Sequence, residues 1–394
     1  MSDVNRVKIR KGYTVLFVAS GNSATGGAFR SMVALCKLLQ SKYGIRPVIV
    51  LKGKGGEKEL LGNSNIKMYY IRSYSWCTTI ERSRTARAKL EYMVKRLLNI
   101  RAIFYLKKII KKEKVDLIHI NTIYSYVGAK AALCTGKPFV WHLREVLDED
   151  QNSCFYDDRD WSLINRANKV ICISDFVKKK FWGKLDHEKA CVISNGICEE
   201  DYFSDKAKFE GSITKFLCVG NMSFNKGQDY VISAAHLLKE SNVSGFHISF
   251  VGEGANRGKY EEQVEQLGLG EVITFYDECI DVSKFYSDSD VFIMASDAEA
   301  FGRVTVEAML GGCLIIGTDH GGTPEILDDG RYGIMFSRGD AVDLASKMIS
   351  VINGDRKALA KMAKEGQMRA LEKYNARQNA KAIFDVYSEV VANK

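Results

Sequence analysis

The sequence predicts an α/β protein built as two successive domains, each a parallel sheet covered by helices. Three observations carry this. The chain has 394 residues, and domains run to about 100–200 residues each. Short apolar runs alternate with segments of helical spacing along the whole chain. The alternation pauses at a polar stretch near 199–214 and then restarts.

The first series of apolar runs is Thr14–Ala19, Val48–Leu51, Met68–Ile71, Asp116–Ile120, Phe139–His142, Val170–Ile173 and Cys191–Ile193. The second is Phe216–Gly220, His247–Val251, Val272–Phe275, Val291–Met294, Leu314–Gly317 and Gly333–Phe336. Runs that are apolar at every position suit strands buried on both faces, as in a parallel sheet between two helix layers. A stretch at 355–391 is helical in composition, with no proline and no strand signal. The expected domains are therefore 1–200 and 201–375. Open α/β sheets bind ligands beyond the carboxyl ends of their strands, so two such domains facing each other would define a cleft.

Bulk properties exclude several classes. A hydrophobic fraction of 46% and a charged fraction of 27% are ordinary for a soluble globular protein. No segment reaches the 18 or so apolar residues of a membrane-crossing helix. The leading segment MSDVNRVKIRKG feeds only the short run TVLFVAS, too short for a signal peptide and better read as a first strand. None of the ten cysteines forms a C-x-x-C pair, and many sit in apolar runs such as KVICIS and KFLCVG. Buried thiols in a reducing compartment explain them, and no zinc-ligand spacing is present. The expectation is a cytoplasmic protein without a metal or cofactor.

The net charge of +9 hides an asymmetry. Residues 1–200 hold 36 Lys and Arg against 19 Asp and Glu, a net of +17, which leaves −8 for the rest. Much of the excess lies between Arg82 and Lys114, where twelve Lys and Arg face two Glu, Glu91 and Glu113. Apolar residues from Leu90 to Ile110 recur there at helical spacing. Such a helix either rests on an anionic membrane surface or packs its apolar stripe on the sheet and solvates its charges. Nucleic acid is not an expected partner, because the basic half lacks interleaved aromatics and recognised binding modules.

Three strand-to-helix junctions could receive phosphate. Gly21 to Gly27, including Gly26 and Gly27, follows the first strand; it is either a phosphate loop or a tight turn. Gly220 to Gly227 opens the second domain, and its Lys226 starts a helix, so ammonium and helix dipole would act together. The stretch from Ser296 to Met309 follows the run VFIMA. Glu299 lies on its loop, and Glu307 lies within an apolar helical face where a carboxylate needs partners such as ligand hydroxyls.

The segment E-A-F-G-R-V-T-V-E-A-M, with Glu299 and Glu307, resembles the E-x7-E motif of the retaining glycosyltransferases of family 4, which have the GT-B fold. Further segments match in order. Gly321 to Ile326 resembles the family's G-G-x-x-E-I, and Ser194 to Ile197 its P-N-G-I. Asp281 to Phe292 resembles D-V-x-x-F-Y-x-x-A-D-V-F, and Gly26-Gly27-Ala28 the N-terminal Gly-Gly loop. The resemblance implies two Rossmann-like domains across a cleft, with a C-terminal helix at about 376–394 packing back on the N-terminal domain. It implies a nucleotide-sugar donor, UDP-linked as the commonest case, on the C-terminal domain. A glycan or lipid-linked acceptor would sit on the N-terminal domain, in cell-surface polysaccharide synthesis at the inner membrane face. By the same resemblance Glu307 would hold the ribose, Glu299 the donor sugar, and the Phe301 and Gly302 amides the sugar or phosphate. Lys226 would neutralise the leaving diphosphate without a metal, and His142 would stand beside the donor sugar. Tyr276 lies where the base is expected.

There are departures. Asn221 stands where the family usually has an arginine, and Arg303 could replace that cation. Cys198 replaces a usual aspartate. These admit an alternative, a non-catalytic GT-B subunit that supports a partner transferase. Arg144 and Glu145, with Asn121 nearby and the acidic run from Asp148 to Asp150, suggest either acceptor recognition or a solvated acidic loop.

Overall fold

A computed structural model describes residues 9–62, 64–83 and 85–392. Among these, the chain forms two compact units. One runs to Gly196 and takes up the chain again at Ala376; the other is Ile197–Asn375. The first eight residues and the last two, part of the expected N-terminal domain and C-terminal helix, lie outside the described residues.

The first unit holds a parallel sheet of order β3-β2-β1-β5-β6-β8-β9. Its strands are β1 (Thr14–Ala19), β2 (Arg46–Leu51), β3 (Lys67–Tyr70), β5 (Leu117–Asn121), β6 (Phe139–Leu143), β8 (Lys169–Cys172) and β9 (Ala190–Val192). Every residue of β1, β5 and β6 is buried, as apolar runs between two helix layers must be. The register Val15↔Leu117 and Ile118↔Phe139 aligns their carboxyl ends. A small antiparallel pair, β4 (Cys77–Thr79) with β7 (Ser153–Phe155), was not foreseen. Three residues a side carry too little periodicity to be read. The buried Trp76 anchors it, stacked on Trp141 at 5.5 Å and donating from Nε1 to the Ile123 carbonyl at 2.6 Å.

The second unit repeats the plan with order β12-β11-β10-β13-β14-β15. These are β10 (Thr214–Val219), β11 (Phe246–Val251), β12 (Ile273–Tyr276), β13 (Val291–Met294), β14 (Leu314–Thr318) and β15 (Ile334–Phe336). All pairs are parallel. The order reverses direction at β10 and β13, the kind of position where doubly wound sheets take ligands. Phe216, Ile248, Ile293, Leu314 and Ile316 from the strands pack with Val231, Leu238 and Met348 from the helices in its core.

The chain leaves the first unit four residues before the boundary at 200 that the sequence suggested. Gly196 lies against Ala376, where a Cβ would stand 2.5 Å from the Ala376 Cα. Ile197 bridges Asn375 and donates to the Tyr374 carbonyl at 2.8 Å. Helix Ala376–Ala392 then packs on the first unit's core through Ala380, Ile383, Tyr387 and Val390. Its Phe384 stacks on Tyr43 at 4.4 Å.

The basic segment is not one helix from 82 to 114. A short helix, Ile80–Ser83, ends before Thr85, whose extended backbone and side-chain cap on Ala88 N start a new helix, Ala86–Lys112. Arg84 lies outside the described residues. No helix among the described residues is long and apolar enough to cross a membrane.

Candidate active site

In the second unit the candidate groups gather beyond the carboxyl ends of β10, β13 and β14. Gly227 lets the loop after β10 close on the end of β13. Its φ is 72°, and a Cβ there would stand 2.0 Å from the Ala295 carbonyl oxygen. Asp297 N donates to the Asn225 carbonyl at 3.1 Å across the same contact. In this frame Lys226 Nζ meets Glu299 Oε1 at 2.6 Å, and Ser296 Oγ donates to the same oxygen at 2.9 Å. The Lys226 and Glu299 side chains are 26% and 18% exposed, so solvent and ligand can reach the pair. Gly322 N donates to the Glu299 carbonyl at 2.7 Å, and a Cβ on Gly321 would fall 2.7 Å from Glu299 N. The Gly-Gly-Thr-Pro-Glu-Ile segment thus shapes the loop that carries Glu299.

Helix Arg303–Leu310 starts at Gly302, whose φ of 93° is open to glycine. The first amides of a helix have no acceptor within it and present a partial positive charge. The Phe301 side chain is buried, edge-on to Tyr374 at 5.5 Å, so only its backbone can serve a ligand. Glu307, 2% exposed, accepts from Arg303 Nη2 at 2.8 Å and from the Tyr286 hydroxyl at 3.3 Å. Arg303 is therefore engaged with Glu307, four residues on along the same helical face. It is not the spare cation that the sequence offered in place of an arginine at 221. Asn221 is exposed, and its carbonyl accepts from Gln228 Nε2 at 3.0 Å. Tyr276 is 40% exposed at the end of β12, its ring edge-on to Phe285 at 5.0 Å.

In the first unit Gly26 caps helix Gly27–Tyr43, and Gly26 N donates to the Ser23 carbonyl at 3.2 Å. His142, at the carboxyl end of β6, is fully buried. Its Nδ1 lies 3.3 Å from Arg144 Nη2 and 3.2 Å from His119 Nε2. Arg144 carries only donors, so His142 Nδ1 accepts and its proton sits on Nε2. That atom has no hydrogen-bond partner among the described residues. Burial first, and the Arg144 charge second, push both imidazoles well below the ordinary histidine range.

Arg144, Glu145 and Asn121 were expected to read an acceptor. The structure buries all three and turns them inward. Arg144 Nε donates to Asn121 Oδ1 at 2.8 Å, Arg144 Nη1 to Asn195 Oδ1, and Asn121 Nδ2 to the Ala28 carbonyl at 3.2 Å. Glu145 Oε2 accepts from Ile123 N at 3.1 Å. Burial raises the Glu145 carboxyl to about 8. A cation this deep needs its donors satisfied, and Asn121, Asn195 and His142 take those of Arg144, so these buried residues frame His142. Asp148 meets Lys180 at 2.8 Å, and Glu149 pairs with the same ammonium.

Two family models tile the chain. Residues 25–201 match glycosyltransferase family 4, and residues 200–369 match the group 1 glycosyl transferases. The chain belongs to glycosyltransferase family 4.

This transferase is 28% identical to an uncharacterised glycosyltransferase of Methanocaldococcus jannaschii, over 72% of the chain and 78% of the relative. It is 22% identical to a Campylobacter jejuni α-1,4-N-acetyl-D-galactosaminyltransferase, named for a PP-undecaprenol-linked glycan, over 88% of the chain and 91% of the relative. Its fold matches Anabaena HepE, a crystal structure in complex with UDP and glucose, with a TM-score of 0.76 at 22% identity. That match covers 96% of this chain and all of the other. The fold is GT-B.

Several residues of the candidate site carried little or no signal in the sequence. Ser296 and Tyr286 hold the two motif glutamates, but a single serine or tyrosine in a run gives no signal. Gly252 and Gly254 clasp the loop after β10, where a Cβ would stand 2.1 Å from the Gly220 oxygen and 2.4 Å from the Met222 oxygen respectively. The Gly-x-Gly after β11 could have flagged them. His119 and Tyr387 lie 268 positions apart and meet only in the fold.

Proposed function

We propose that this glycosyltransferase moves a sugar from a UDP-sugar to a glycan or lipid-linked acceptor of a cell-surface polysaccharide, with retention at the anomeric carbon and without a metal ion. The observation that carries this reading is the cluster of Lys226, Glu299 and the amino end of helix Arg303–Leu310 around one loop, with Glu307 behind it. A leaving diphosphate needs fixed positive charge, and an ammonium beside the amino end of a helix supplies it without a metal ion. Glu307 uses one oxygen for Arg303 and the other for Tyr286, which leaves lone pairs for ribose hydroxyls. Retention and the ribose role rest on family membership. The UDP choice draws support from HepE, solved with UDP, and the lipid-linked acceptor from the Campylobacter jejuni relative's name.

In the proposed reaction the bond from the sugar C1 to the diphosphate oxygen breaks, and its electron pair leaves with the diphosphate. Lys226 exchanges Glu299 for that charge. The acceptor hydroxyl bonds to C1 on the face the diphosphate leaves, and its proton passes to a leaving phosphate oxygen. Glu299 orients sugar hydroxyls. Positioning and charge stabilisation supply the rate.

The test is transfer by the full chain from UDP-glucose, UDP-galactose and their N-acetyl forms to PP-undecaprenol-linked glycans, with EDTA present, and proton NMR of the product. The reading expects an α-linked product and no loss with EDTA. A β-linked product, or loss of activity restored by magnesium, overturns it. Nucleotide binding without transfer to any acceptor would favour the supporting-subunit alternative that Asn221 admits.

A further inference from the structure

Helix Ala86–Lys112 has two apolar faces. The inner one, with Ala88, Tyr92, Ala102, Leu106, Ile109 and Ile110, is buried. At 3.6 residues per turn, Leu90, Met93, Leu97, Ile100 and Phe104 project from the opposite side, and they are 52–67% exposed. Of sixteen exposed large hydrophobic residues among the described residues, eight lie on this helix. Scattered surface leucines are normal, but a continuous ridge marks an interaction surface. From Leu90 to Phe104 the ridge runs for about 21 Å at 1.5 Å per residue.

The ridge is flanked by cations on both sides. Lys89, Arg96 and Lys107 line one edge, and Arg87, Arg101 and Lys108 the other; all six are exposed. Lys108 Nζ sits 4.4 Å from the centre of the Phe104 ring. The helix's single acidic residue, Glu91, is already paired with Arg82 and Lys95 on a different side. A second copy of this helix would bring the same cations against these, and like charges repel.

We infer that this outer face lies flat on an anionic lipid bilayer, with the Leu90–Phe104 ridge entering the headgroup boundary and the flanking cations meeting lipid phosphates. The attachment inferred is peripheral, through one face of one helix. The inference stands on exposure and charge in this one helix and does not need the transferase reading.

The test is co-sedimentation of the full chain with vesicles of pure phosphatidylcholine and of phosphatidylcholine with phosphatidylglycerol. Wild type is expected on the anionic vesicles only, with release at high salt. L97E with F104E, and separately K107E with R101E, should weaken that binding at least about tenfold. All four positions are exposed, so circular dichroism and the UDP thermal shift should be unchanged. Failure of wild type to sediment, or undiminished binding by both variants, overturns the inference. A dimer in light scattering that L97E with F104E dissociates, with no vesicle binding, assigns the ridge to a second copy instead.

Discussion

The hydroxyl of Tyr387 lies 2.7 Å from Nδ1 of His119, deep in the first unit, joining the last helix to β5. His142 Nδ1 accepts a hydrogen bond from Arg144 Nη2, so His119 donates to it from Nε2 and accepts from Tyr387 at Nδ1. The chain of contacts therefore fixes one tautomer of each histidine, and leaves His142 as an Nε2–H donor. The last helix thus sets the tautomer of His119, while Arg144 sets that of His142.

Tyr387→Phe removes only the oxygen and strands a buried acceptor, so it should lower stability by about 1–3 kcal/mol in urea unfolding. Nitrogen-15 NMR should show His119 leaving a single tautomer, while His142, held by Arg144, keeps its own. An unchanged midpoint together with an unchanged histidine spectrum would refute the relay.

Glu145 carries a pH signature. Its folded carboxyl is raised from 4.5 to about 8 by burial. Between those values the unfolded chain loses this proton while the folded chain keeps it, so stability falls as pH rises through the window and levels off above about pH 8. Glu145→Gln mimics the protonated acid and has no such term. Its melting temperature should gain on wild type steadily from pH 5 to pH 8; parallel profiles would count against it.

Arg303→Met should be costly, because it leaves Glu307 charged at 2% exposure. A loss of about 3–5 kcal/mol is expected for an unmatched buried charge. Adding Glu307→Gln to the same chain should restore part of it. If the two losses simply add in a double-mutant cycle, the two side chains do not form the pair described.

Gly227→Ala should destabilise by about 2–4 kcal/mol, from a left-handed backbone and overlap with the Ala295 carbonyl. Gly258→Ala, where a Cβ meets nothing within 4 Å, serves as the neutral comparison. Equal denaturation midpoints for the two variants would contradict the close contact.

Most of the architecture was legible because buried parallel strands are near-continuous apolar runs, as β1 and β13 are. The break at Thr85 was not, because periodicity runs on either side of it and a single cap residue decides where a helix starts. The two motif glutamates, Lys226 and the Gly321-Gly322 pair were marked by the family resemblance, whereas Gly252 and Gly254 were not. The partners of Glu307 were not: Arg303 could be seen as a cation but not aimed, and Tyr286 comes from a different helix. Arg144 and Glu145 read as exposed because charge in a sequence suggests a surface, while the chain buries both just beyond the end of β6.

The most direct test of the account is a thermal-shift titration of wild type and Glu307→Gln with UDP, GDP, ADP and CMP, followed by the corresponding sugar nucleotides. The account predicts that UDP raises the wild-type melting temperature progressively with concentration, and that Glu307→Gln loses most of the response. No shift with any nucleotide at millimolar concentration would contradict a nucleotide-sugar site on the second unit.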